Sequence, residues 1–244
     1  MGTVLTAMEQ QLADRIRSAR AARTLLSSAG SSPVSLEAAY RVQAALGEGQ
    51  VLRGYKLGLL SEAKQRQMGI HEPIYGRVYA DMLVDSVVSL GRFLQPRLEP
   101  ELAVVLRSPV VPGTPPSRVR AAFGGLFLAV DVLDSVWQDY RFTAPEVVAD
   151  NASGGAFALG PVSLAEPDLP VQLRLFVNGV LRSEGPVESL GDLGLRVAWL
   201  ADRMGGLEAG QVVFLGSPAA AVPAEAGTVE VWGGATTLLM RFEA

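Results

Sequence analysis

A chain of 244 residues with no cysteine and one histidine excludes disulfides, thiolate or multi-histidine metal sites and cysteine nucleophiles; any serine–histidine–acid triad would have to use His71. The net charge is −4, and the 21 basic residues are scattered, so there is no electrostatic footprint for nucleic acid. No apolar run approaches the roughly 20 residues needed to span a bilayer, and no basic segment leads into an apolar one at the N-terminus, so a soluble cytoplasmic protein is expected.

In chain order, residues 3–28 read as an amphipathic helix with Leu5, Met8, Leu12, Ile16 and Ala19 on one stripe. Ala29-Gly30-Ser31-Ser32-Pro33 breaks it, and Ser35 caps a second helix running to about Leu46. From residue 51 the pattern changes to short strands. Val51–Leu59 is the first, and Ser61 then caps a short helix through Met68. Glu72-Pro73-Ile74-Tyr75-Gly76 reads as a turn into a strand at 77–80. An acidic strand follows at about 97–107, a short helix at 117–123 and an apolar run at 126–134. Residues 140–148 read as irregular and lead into the polar cluster 149–155. Asn178-Gly179 marks a hairpin after a strand at 173–180. A helix spans 192–204, with Leu195, Ala198, Trp199 and Ala201 facing inward and Gly205-Gly206 ending it. Strands at 211–215, 228–232 and 237–242 close the chain. The sum is a single α+β domain: a helical segment over residues 1–50 packed on a β-rich catalytic core over 51–244.

Candidate chemistry concentrates in a few positions. Strand side chains alternate between faces, so Glu99 and Glu101 point the same way, roughly 6–7 Å apart, while Pro100 faces the other side, as suits a strand's first residues or an edge. Two such carboxylates tolerate each other if they lie in solvent, share a proton or clamp a cation. Asp131, in the middle of the apolar run Leu126–Asp134, would complete an all-oxygen trio of the kind that Mg²⁺ or Mn²⁺ accepts. Only two of the 21 basic residues are lysines. Lys56 lies among glycines and apolar residues, where a compact ammonium would fit and a guanidinium fork would not; a stem lying along the core with its head in water is the alternative. Lys64 reads as solvated, and His71 as part of an exposed turn. The polar segment Ala149-Asp150-Asn151-Ala152-Ser153-Gly154-Gly155 suits a site loop or a plain turn. There is neither a Walker loop nor a Gly-x-Gly-x-x-Gly after a strand, which argues against nucleotide chemistry.

Several ordered motifs carry a resemblance: Gly54-Tyr55-Lys56-Leu57-Gly58-Leu59, Met68-Gly69 with Glu72-Pro73-Ile74-Tyr75-Gly76, Pro96-Arg97-Leu98-Glu99-Pro100-Glu101, Val148-Ala149-Asp150-Asn151-Ala152-Ser153 and Val197-Ala198-Trp199-Leu200-Ala201. From about Ser35 to Phe242 the chain resembles the 2-oxo-acid hydratase and 4-oxalocrotonate decarboxylase family of aromatic meta-cleavage pathways. The resemblance implies a fumarylacetoacetate hydrolase-like mixed sheet/roll core behind the N-terminal helices. It implies Mg²⁺ or Mn²⁺ held by Glu99, Glu101 and Asp131, a substrate-facing Lys56, and Ser153 as a further catalytic group. Ile74, Tyr75, Asn151 and Ser217 would line the substrate pocket. A small 2-oxo acid substrate, a homo-oligomer and a possible complex with a partner hydratase are implied as well. Three positions depart from the family pattern: Asp131 stands where glutamate is usual, and Leu60 and Ala219 where threonines are common.

Ile74 bears on the reaction. Hydratases of the family tend to carry aspartate before the Tyr-Gly pair, whereas decarboxylases resemble Pro73-Ile74-Tyr75-Gly76. An acid beside a leaving carboxylate would repel it, while an apolar side chain favours the less charged transition state. Hydration needs a proton-handling group that isoleucine cannot supply. The expectation is a metal-dependent decarboxylase of a 2-oxo-enedioate, with Lys56 stabilising the developing enolate. A hydratase of 2-hydroxypenta-2,4-dienoate or a longer 2-oxo-enoate, a C–C bond hydrolase, and a weakly active subunit supporting a partner hydratase are the alternatives.

Overall fold

The computed structural model describes residues 4–30, 34–164 and 169–244; Thr3 of the expected first helix and Ser31, Ser32 and Pro33 of the expected break lie outside them. Helix α1 (Ala7–Ala22) begins at a Thr6/Glu9 capping box and ends early, where Arg23 takes a left-handed cap. The chain after it is drawn off as backbone: Leu26 bonds Val136 O and Gln138 N. Ser35 caps α2 (Leu36–Leu46), as its position predicts.

Strands β1 (Leu52–Gly58), β2 (Ile74–Tyr79), β4 (Arg97–Leu106), β5 (Phe123–Leu133), β6 (Gly154–Leu164) and β9 (Val212–Phe214) form a mixed sheet in the order β2-β1-β9-β4-β5-β6, with the two-residue β10 (Val222–Pro223) also on β4. Ile74 and Tyr75, expected in a turn, are strand residues because they pair with Gly58 and Leu57. A second sheet runs β3-β12-β11-β7-β8, from β3 (Val87–Ser89), β7 (Gln172–Val177), β8 (Val180–Pro186), β11 (Gly227–Gly233) and β12 (Thr236–Glu243). The Asn178-Gly179 hairpin joins β7 to β8 as expected, with both residues at positive φ.

The sheets pack through alternating apolar residues. Leu98, Leu102 and Val104 of β4 and Leu128, Val130 and Val132 of β5 share one buried cluster with Leu173, Leu175, Val229, Val231 and Met240 of the second sheet. Helices α3 (Glu62–Gln67), α4 (Pro116–Ala121), α5 (Ala144–Ala149) and α6 (Leu193–Met204) complete the fold. Helix α5 corrects the irregular reading of 140–148: Thr143 and Glu146 form a capping box that fixes even this short element. In α6 the buried stripe is Leu193, Val197, Ala198, Leu200 and Ala201, whereas Leu195, expected inward, is exposed.

Pro100 is a further correction. It lies inside the sheet, not at an edge or strand start, yet among the described residues the strand partners on the β9 side of β4 fall only at 97–98 (β10) and 103–105 (β9). Its carbonyl accepts from Ser217 Oγ at 2.9 Å, so the nitrogen, which points the same way, faces the 216–219 loop where no strand requires a donor.

Gly76 sits opposite Lys56 across β1 and β2; a Cβ there would lie 2.5 Å from Asn151 O and 3.1 Å from Lys56 Cγ. Gly76→Ala is expected to cost about 1–3 kcal/mol by overpacking, read as a lower urea midpoint at unchanged m-value.

Candidate active site

The face of β4 and β5 turned away from the second sheet carries Glu99, Glu101 and Asp131. Glu99 pairs directly with Asp131 across the ladder, and Glu101 with Ala129. Glu101 and Asp131 are completely buried, beside a small apolar cluster containing Ala103, Ala129, Phe157 and Phe214. The three carboxylates each offer an oxygen, and these oxygens lie within 4.8 Å of one another. Like charges directly opposite on a sheet destabilise it, so this arrangement calls for a counter-charge.

Part of the counter-charge is Lys56. It leaves β1 on the same face, is 3% exposed, and holds its Nζ 2.8 Å from Asp131 Oδ2 and 3.0 Å from Ala152 O. The alternative of an ammonium reaching water is thereby excluded. Three ionised acids and one ammonium leave a formal charge of −2, which a divalent cation would cancel. The open valences agree: Glu101 Oε2 accepts from Gly216 N–H at 3.1 Å, but Glu101 Oε1 and Asp131 Oδ1 are buried with no partner. Buried carboxylate oxygens left bare are costly, and hard oxygen donors suit Mg²⁺ or Mn²⁺. The trio therefore fits a divalent metal.

The electrostatics point the same way. Burial pushes the Glu99 carboxyl up to about 7, against the attraction of Lys56 and helped by the Asp131 charge. Burial likewise raises Glu101 well above its ordinary range, with Asp131 adding to it, and raises Asp131 against the opposing pull of Lys56. For Lys56, burial favours the neutral amine, but the charges of Asp131, Glu99 and Glu101 outweigh it and hold the ammonium protonated above its ordinary range.

Beside the trio is a cavity of about 340 Å³ lined by Glu99, Gly58, Leu59, Leu60, Lys64, Ser189 and the 216–220 loop. Leu60 and Ala219, the two positions without a hydroxyl, both face it. Lys64, read from the sequence as merely solvated, lines it too. Ile74 is buried on the Lys56 face and packs against Gly58, where a Cβ would lie 3.3 Å from Ile74 Cγ1. Ser217 lines the cavity, but its hydroxyl bonds the backbone at Pro100 and Ala219.

Two of the sequence-derived pocket residues lie elsewhere. Tyr75 points to the opposite side of the sheet, where its ring stacks on Tyr40 at 4.2 Å and meets Trp199 edge-on; one step along a strand reverses the face. Asn151 clamps Arg77, accepting its N–H at 2.7 Å and donating to its carbonyl at 2.8 Å, and lines a different cavity next to α1 and α2. Ser153 is buried with its hydroxyl unpartnered. His71 is exposed, as expected. The Gly216 amide and the Ala152 carbonyl, which hold Glu101 and Lys56, had no sequence signal beyond a glycine and a polar loop, because backbone groups acquire roles only through tertiary placement.

Residues 70–238 match the fumarylacetoacetate (FAA) hydrolase C-terminal family. The chain belongs to this family. A 4-oxalocrotonate decarboxylase of Pseudomonas sp. is 32% identical over 187 residues, 71% of each chain. The 2-keto-4-pentenoate hydratase 1 of Dechloromonas aromatica is 34% identical over 214 residues, 78% of this chain and 79% of that protein. The 4-oxalocrotonate decarboxylase of Pseudomonas putida G7, solved with magnesium and adipate, superposes with a TM-score of 0.87 at 28% identity, covering 98% of this chain and 99% of that one. The family fold is thus the one expected from the motifs. Among the described residues no helix is long and apolar enough to cross a membrane.

In EDTA, the raised Glu99 carboxyl sets the sign of a pH effect. The folded protein retains a proton up to about pH 7 that the unfolded chain releases near its ordinary value of 4.5, so this group's contribution to stability is present below about 4.5 and is lost as pH rises through 7. Urea midpoints across that range should fall more steeply in the native protein than in Glu99→Gln.

Proposed function

We propose that this protein is a divalent-metal-dependent decarboxylase of a 2-oxo-enedioate of the 4-oxalocrotonate type. The observation that carries the reading is the Glu99–Glu101–Asp131 trio, two of its acids fully buried and Glu99 at the cavity wall, with two bare oxygens set against the single fixed ammonium of Lys56. Relatives named as 4-oxalocrotonate decarboxylases, at 31–33% identity, support the reaction class.

Glu99, Glu101 and Asp131 would hold Mg²⁺ or Mn²⁺, which supplies Lewis acidity toward the 2-oxo acid end of the substrate. Decarboxylation breaks the bond to the distal carboxylate, and its electron pair runs through the conjugated system onto the C2 oxygen. Lys56 is built to meet that charge. Of its three N–H donors, Asp131 and the Ala152 carbonyl occupy two, leaving one for the developing enolate oxygen. Being pinned and buried, it needs no reorganisation as charge develops. The unpartnered hydroxyl of Ser153 is a further donor for the substrate. Apolar Ile74, Leu59 and Leu60 favour departure of a neutral CO₂ over retention of a carboxylate.

A specific observation keeps water addition as the second reading. The hydratase relatives match as closely as the decarboxylases, at 33–36% identity. Two measurements separate them. CO₂ release from 2-oxohex-3-enedioate should require Mg²⁺ or Mn²⁺ and stop with EDTA; no CO₂ but water addition to 2-hydroxypenta-2,4-dienoate would replace the decarboxylase reading with the hydratase one. Glu101→Gln should abolish the metal-dependent turnover with the fold retained, and normal turnover by it would remove the trio from the mechanism. Lys56→Met should lower kcat by about 10²–10³-fold, the scale of removing one oxyanion-stabilising donor; an effect confined to KM would contradict its assignment.

A further inference from the structure

The loop that holds Lys56 is backbone under strain. Asn151, Ala152 and Ser153 have φ of 52°, 52° and 57°, three consecutive non-glycine residues in the left-handed region. Each such residue is held against the steric preference of an L side chain, so the conformation persists only if its surroundings impose it. Its purpose is visible at its centre: the Ala152 carbonyl accepts from Lys56 Nζ at 3.0 Å.

What imposes it comes largely from outside the site. Asp150, the residue before the loop, is buried and takes the Arg20 guanidinium at 2.5 Å on Oδ1 and the Val136 N–H at 2.7 Å on Oδ2. Arg20 also reaches Asp134, through Oδ2 at 3.2 Å and the backbone carbonyl at 2.8 Å. Asp134 then grips the other end of the loop, its N–H donating to Ser153 O at 2.7 Å, while its Oδ1 accepts from the Leu94 and Gln95 amides. One arginine thus ties together the two aspartates that bracket residues 151–153. Arg20 lies near the end of α1, outside the residues matched to the family model, and it borders the second cavity of about 340 Å³, which is lined by Arg17, Gln43, Asp150 and Asn151 as well.

We propose that Arg20 is a positioning residue for the reaction: by clamping Asp134 and Asp150 it holds the strained 151–153 loop so that the Ala152 carbonyl keeps Lys56 aimed at the substrate. It touches neither the metal ligands nor the cavity beside them. The proposal rests on the role assigned to Lys56 under the decarboxylase reading. A planar guanidinium suits the task because it donates to both acids and a carbonyl at once, which an ammonium on a flexible stem does less well. Displacement of a reacting group by an ångström is enough to cost about 10²-fold.

The test uses the full-length protein loaded with Mn²⁺. Arg20→Ala should lower kcat by 10- to 100-fold with KM and the Mn²⁺ dissociation constant within about twofold of the native values. Because the vacated position opens onto a cavity, methylguanidine at millimolar concentration should restore part of kcat in Arg20→Ala and leave the native enzyme unaffected. Arg20→Lys, which preserves charge and packing, should recover less than the added guanidinium does per occupied site. Unchanged kcat in Arg20→Ala would overturn the proposal, as would an equal loss in Mn²⁺ binding and kcat with no rescue, which is the pattern of general destabilisation. If Arg20→Ala does not fold, a native-like kcat in Arg20→Met, which keeps an unbranched stem but removes every donor to Asp134 and Asp150, would overturn it. Native turnover by Lys56→Met would instead show that the underlying reading of Lys56 fails, whatever Arg20 does.

Discussion

Gathering three carboxylates, two of them fully buried, around one ammonium is the constraint on which the rest of this structure depends. Removing charges from water is expensive, and the mutual attraction of Lys56 and Asp131 compensates only when the geometry is fixed and the other lone pairs are satisfied. Much of the architecture does this work. The antiparallel register of β4 on β5 sets Glu99 against Asp131, β1 delivers Lys56 to the same face, and the turn after β9 offers the Gly216 amide to Glu101. The oxygens left bare define where a divalent cation belongs.

The supporting elements follow from that demand. Lys56 crosses β2 at Gly76, where a side chain of any size would strike the lysine stem and the Asn151 carbonyl. The 151–153 loop adopts an unfavourable backbone to place one carbonyl, and Asn151, Asp134, Asp150 and Arg20 hold it there. The N-terminal helices thereby act on the site without touching it. Their apolar stripes pack on the core, and one guanidinium extends that packing to the loop.

Much of the site was legible in the sequence because strand periodicity is a local rule. Glu99 and Glu101 share a face whatever the fold, and an acid or lysine within an apolar run signals a buried charge. The same rule, applied with the right strand boundaries, separates Ile74 from Tyr75; reading 72–76 as a turn concealed that alternation. The family resemblance implies that Asn151 lines the substrate pocket, whereas its amide is consumed by the Arg77 backbone. Lys64 was passed over because nothing local distinguishes a solvated lysine from one at a cavity wall.

The sequence by itself determined most element types, the caps at Ser35 and Ser61, the Asn178-Gly179 hairpin and the pairing of acids on one face, since each depends on residues within a few positions of each other. Only the tertiary structure decided which strands are neighbours, that Pro100 is tolerated inside a sheet, and that Arg20 reaches acids 114 and 130 residues away. Those outcomes rest on long-range packing and on backbone donors and acceptors, which every residue carries alike and which gain identity only from what they meet.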